Sequence, residues 1–76
     1  MEDLLVWIAR GLVDEPDAVR VERLDDGDVV MLRLHVAPGD VGKVIGRQGR
    51  VVRALRTIVR AAGARADRRA VLEIVG

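Results

Sequence analysis

The residues best suited to chemistry in this chain lie in one stretch, Gly42-Lys43-Val44-Ile45-Gly46-Arg47-Gln48-Gly49. Two glycines bracket an arginine and a glutamine, an apolar pair precedes them, and an amphipathic segment follows. Glycine serves where backbone must turn with positive φ or come close to a ligand, and bare amides at the start of a helix are donors for an anion. A phosphodiester suits such a site. Arg47 adds a fork of donors and Gln48 an amide, while Lys43, Arg50 and Arg53 stand close enough in sequence to extend a positive rim. Val44 and Ile45 offer apolar surface to bases. The spacing predicts a backbone clamp for a single-stranded nucleic acid, built from Lys43, Val44, Ile45, Gly46, Arg47, Gln48, Gly49, Arg50 and Arg53.

Better-known phosphate motifs do not fit the same residues. The P-loop needs Ser or Thr after its lysine and a glycine five residues before its second glycine; Val44 and Ala37 occupy those places. The dinucleotide fingerprint fails because Val44 stands where its first glycine belongs, and because a helix, not a strand, precedes the loop. A helix-turn-helix DNA reader would place polar residues on the exposed first turns of its second helix, where this chain has Val51 and Val52. An enzyme is not expected. His35 is the only histidine, and on the polar face of a strand it reads as a solvated residue. Asp25, Asp26 and Asp28 lack the full ligand set and closing glutamate of a calcium loop and read as turn residues. No metal and no cofactor is expected.

Charge is unevenly distributed. The net charge is +1, yet residues 1–42 carry ten acids against four arginines, a net of −6, and residues 43–76 carry nine bases against two acids, a net of +7. The sign changes at the glycine stretch, and a local field of that kind favours an anionic partner for the second half. With 76 residues there is room for one domain, 1–76, whose small core must use every apolar stripe. The absence of cysteine removes disulfide staples and thiolate metal sites, which suits a reducing cytoplasm. The acidic start and short first apolar run predict neither a secretory signal nor a membrane span.

Periodicity supplies the elements that must position the loop. Residues 2–13 read as a helix with Leu5, Ile8 and Leu12 inward, Leu4 and Ala9 beside them and Trp7 covering the edge of the core. Ala18 to Leu24 alternates as a strand, Asp25-Asp26-Gly27-Asp28 as a turn, and Val29 to Val36 as a second strand. Asp40 is placed to cap a short helix ending at Ile45, where Gly46 stops it. A longer helix runs from about Arg50 to Ala62 and meets Gly63 at its end. Its apolar side holds Val51, Val52, Leu55, Ile58, Val59 and Ala62, with Arg53, Arg56 and Arg60 gathered opposite and the last two merely solvating that face. Arg69 to Val75 closes the chain as a strand. The fold class is therefore α+β in the order αββααβ, with three helices on one face of a three-stranded mixed sheet.

The run Val44-Ile45-Gly46-Arg47-Gln48-Gly49-Arg50-Val51-Val52-Arg53-Ala54-Leu55 resembles the core of a KH domain, whose GXXG loop joins two helices and clamps about four nucleotides of single-stranded RNA. The element order is that of the type II, prokaryotic variant. The likeness covers essentially the whole chain and extends to the size of the small bacterial single-KH RNA-binding proteins of the KhpA, or YlqC, family. It implies that Gly46 to Gly49 grip RNA backbone, that Val44 and Ile45 border the base groove, that Val52 and Leu55 lie under it, and that Leu32 or Leu34 forms the opposite wall. It also implies a homodimer, or a heterodimer with a larger KhpB-like KH protein, acting in the cytoplasm in connection with cell elongation and division. A grip this small, with one tryptophan and no Tyr or Phe to stack bases, predicts weak binding that a second module strengthens. The alternatives are a dimerisation or adaptor module, built on Trp7 and the outer sheet valines Val29, Val71 and Val75, and a binder of single-stranded DNA.

Overall fold

A computed structural model describes all residues, 1–76. Helix α1 spans Glu2–Leu12, strands β1 and β2 span Arg20–Asp26 and Val29–His35, helices α2 and α3 span Val41–Ile45 and Arg50–Arg65, and strand β3 spans Arg69–Val75. Short 3-10 turns at Pro16–Ala18, Pro38–Asp40 and Arg47–Gly49 link them. The sheet order is β1-β2-β3, antiparallel between β1 and β2 and parallel between β2 and β3, as a hairpin followed by a helical crossover requires. This is the α+β, αββααβ arrangement expected from the periodicity. No helix is long and apolar enough to cross a membrane.

Strand β2 lies in the middle, and its inward residues Val30, Leu32 and Leu34 are at most 1% exposed. Val44 of α2, Leu55 and Val59 of α3, and Leu5 and Ala9 of α1 close over them. Removing buried methyl groups from such a core costs about 2–5 kcal/mol, against roughly 4–11 kcal/mol of total stability for a domain this size. Urea unfolding of a Leu32→Ala variant is expected to show a loss in that range; a loss below about 1 kcal/mol would contradict the packing.

Four local expectations change. Strand β1 starts two residues late because Pro16-Asp17-Ala18 forms a 3-10 turn, and it runs on through Asp25 and Asp26, which pair with Val30 and Val29. The hairpin loop is then only Gly27-Asp28, with Gly27 at φ +60, the glycine-first form that suits strand twist. The Arg23 hydrogen bond holds the Asp25 carboxyl below its ordinary range, helped by Arg68 and opposed by desolvation. That contribution is present at neutral pH and is lost as pH falls through the lowered value.

Helix α3 passes Gly63 and ends at Arg65, because Gly63 is a packing residue and not a stop. A Cβ there would lie 2.7 Å from Ala70 Cβ and 2.8 Å from the Arg68 carbonyl oxygen. The left-handed residue after the helix is Asp67, at φ +57. Asp40 sits at the start of α2 but makes no side-chain cap. Its buried carboxylate accepts hydrogen bonds from the amides of Asp14 and Glu15, at 3.2 and 3.0 Å, and so ties the exit of α1 to the entry of α2. Trp7 does not cover the core edge; it is 75% exposed. Only Leu5 and Ala9 of α1 are buried, and Trp7 stands two residues from each, roughly 160–200° round the helix.

Candidate nucleic-acid interface

Helices α2 and α3 meet at a tight corner formed by Gly46-Arg47-Gln48-Gly49. Gly46 ends α2 with φ +77 and ψ 172, a backbone shape that essentially only glycine adopts. Its amide donates to the Gly42 carbonyl at 2.9 Å. Gln48 and Gly49 then follow in consecutive left-handed conformations, at φ 57 and φ 74. The amide of Gly49 donates back to the Gly46 carbonyl at 3.1 Å, and that of Arg50 to the Arg47 carbonyl. The result is a single 3-10 turn feeding directly into a 16-residue helix.

The first turn of α3 has no side-chain cap, and its first amide, that of Arg50, is taken by the Arg47 carbonyl. The side chains of Arg47, Gln48 and Arg50 are exposed around it. Neither Arg47 nor Arg50 has a carboxylate within 4 Å, whereas most acids of the first half are occupied elsewhere or lie on other elements. Ile45 is half-buried at the edge of the corner.

The remaining members of the sequence-derived site take other places. Val44 has no exposed surface and anchors α2 in the core. Lys43 is ion-paired with Asp14 and lies 3.7 Å from Asp40, and the hydrogen bond it donates to Asp14 raises its pKa above the ordinary lysine value against some desolvation. Its charge thus closes the Asp40 junction. Arg53 turns back on the loop, with Nη2 donating to the Gln48 carbonyl at 2.9 Å and Nε to the Gly49 carbonyl at 3.3 Å. Leu32 and Leu34 are fully buried, and Leu55 and Val52 are 2% and 5% exposed, so all four are core residues, as a place under the groove requires of Val52 and Leu55.

Arg56 and Arg60 are exposed, as expected. With Arg69 they line a cavity of about 390 Å³ between α3 and β3, floored by Ala70, Val71 and Leu72, and none of the three has an acidic partner. Helical spacing places Arg56 one residue beyond buried Leu55, and Arg60 one beyond buried Val59, so both flank the packed face. That signal was available in the sequence. The position of β3 beside them was not.

An αββααβ chain whose second and third helices meet at a GXXG turn is a KH domain of the type II order. The family model for the KhpA/KhpB KH domain matches residues 2–74, and the chain belongs to that family. Relatives called RNA-binding protein KhpA are similar over nearly their whole length. That of Halalkalibacterium halodurans is 49% identical over 75 residues, covering 99% of both chains. The Clostridium acetobutylicum protein is 47% identical over 75 residues, 99% of this chain and 100% of the relative, and the Bacillus subtilis protein 47% over 74 residues, 97% and 91%. No solved structure matches the chain.

Proposed function

We propose that this protein binds single-stranded RNA, gripping its backbone at Gly46–Gly49 with Ile45, Arg47, Gln48 and Arg50 around the contact. The observation that carries this is the loop itself. Two consecutive left-handed residues turn the chain at the uncapped start of a long helix, between two arginines with no acidic partner. A helix start without a side-chain cap and free guanidinium groups together suit a phosphate, and the relatives named as RNA-binding proteins support RNA as the polymer. Arg56, Arg60 and Arg69 add sequence-independent attraction. Binding, not catalysis, is the proposed activity, and its place is the cytoplasm.

Titration of labelled single-stranded and duplex RNA of equal length tests this. Single strands are expected to bind more tightly, and affinity should fall as salt rises, by about 0.7 in the log–log slope for each phosphate held. Preference for the duplex would overturn the reading.

A homodimer, or a heterodimer with a larger KhpB-like KH protein in the control of cell elongation and division, is part of the same proposal. Trp7, 75% exposed, favours a role in self-association, and Leu4 and Ile58, 48% and 39% exposed, flank a further cavity of about 640 Å³ between α1 and α3. A dimer held by apolar surface should persist at high salt in sedimentation. A tryptophan anchor typically contributes about 2 kcal/mol, so Trp7→Ala is expected to weaken the dimer roughly 30-fold. A monomer at every concentration, or a dimer indifferent to Trp7, would remove this arm.

A further inference from the structure

We infer that Arg53 is a positioning residue: its guanidinium fork holds the GXXG turn in its binding shape and does not itself grip phosphate. This rests on the reading of the turn as the RNA clamp. Gln48 is a non-glycine residue in the left-handed region, a conformation strained for a residue with a Cβ, and something outside the residue must hold it there. Within the turn, the carbonyls of Gly46 and Arg47 are taken by the amides of Gly49 and Arg50. The Gln48 carbonyl lies before the helix and is engaged by Arg53 Nη2 at 2.9 Å. Arg53 Nε adds a second bond, to the Gly49 carbonyl at 3.3 Å.

The two bonds come from one rigid planar group to adjacent carbonyls, so they fix the orientation of both left-handed peptides together. Carbonyls held by Arg53 are kept from turning toward an incoming phosphate, which they would repel. Lysine cannot reproduce this arrangement, because its ammonium is a single point donor on a flexible stem. The sequence spacing is as required: Arg53 follows Gly49 by four residues, which places its side chain over the first turn of α3.

The decisive comparison is Arg53→Lys with Arg53→Ala, measured on the free protein and on single-stranded RNA. In the free protein, amide hydrogen exchange at Gly49 and Arg50 should quicken at least tenfold in both variants, with Arg56→Ala unchanged as the control. Toward RNA, both should lose affinity about tenfold while the slope of log affinity against log salt stays at the parent value. Three results overturn the inference: exchange unchanged in both variants, a lysine variant that binds as the parent does, or an alanine variant whose salt slope falls by about 0.7, the mark of a lost phosphate contact. If the parent binds no single-stranded RNA, the clamp reading fails, and the exchange rates still decide whether Arg53 holds the turn.

Discussion

The double variant Arg47→Asp, Gln48→Asp is expected to fold as its parent does and to lose single-stranded RNA binding by at least about 100-fold. Both side chains are exposed, and neither makes a hydrogen bond or ion pair within the protein, so the core has nothing to lose. Aspartate also tolerates the left-handed region better than most residues, so the backbone at position 48 is not further strained. The thermal midpoint should stay within about 2 °C of the parent. Binding is another matter. A charge-assisted hydrogen bond contributes about 1.5–3 kcal/mol, and the new carboxylates would stand against phosphate where a guanidinium had stood. Unchanged affinity in a folded double variant would remove the GXXG turn from the binding site.

The two glycines that bracket the turn are not equivalent, and the second large effect follows from the difference. A Cβ on Gly46 would lie 2.8 Å from Val51 Cβ and 2.9 Å from the Val51 backbone nitrogen, at a φ of +77 that side chains rarely adopt. Neither obstacle is a flexible tip that could swing away. Strain of about 1–3 kcal/mol and overpacking of similar size add, so Gly46→Ala should cost about 3 kcal/mol or more and displace the start of α3. At Gly49 the nearest atom outside its neighbours would be Val52 Cγ1, at 3.9 Å, and the left-handed conformation alone costs about 1–2 kcal/mol. Urea unfolding of the two variants should separate them by at least about 1.5 kcal/mol. Equal costs would mean that the corner is not packed as described.

The element order was legible because each segment's apolar period is strong. Val30, Leu32 and Leu34 alternate inward, and Val52, Leu55 and Val59 follow a helical stripe, with β2 and α3 where those patterns put them. The GXXG turn was legible because positive φ leaves a glycine signature, which Gly46 and Gly49 bear out. What the sequence hid depends on tertiary proximity. Gly63 carries the same letter as a helix stop, yet it is in the helix because Ala70 and the Arg68 carbonyl press on it. Asp40 has the look of a local cap, but amides 25 and 26 residues away in the chain claim its carboxylate. Lys43 reads as a free cation until Asp14 is brought beside it.

Trp7 teaches a different lesson. In a helix with only two buried residues, the stripe is too narrow to assign a flanking aromatic to the core, and spacing from Leu5 and Ala9 puts it outward. Arg53 had a readable spacing to the turn, but its two carbonyl partners depend on the left-handed backbone of Gln48 and Gly49. Sequence charge alone cannot tell a phosphate-binding arginine from one that bonds to its own loop.

The grip of Gly46–Gly49 on single-stranded RNA can be followed at the backbone amides of the isotopically labelled protein while a short single-stranded RNA is added. The amides of Ile45 through Val52 are expected to shift most, including those of the first turn of α3, while that of Trp7 stays still. Shifts centred on Trp7 or on Val71 and Val75, with the turn unmoved, would contradict that grip.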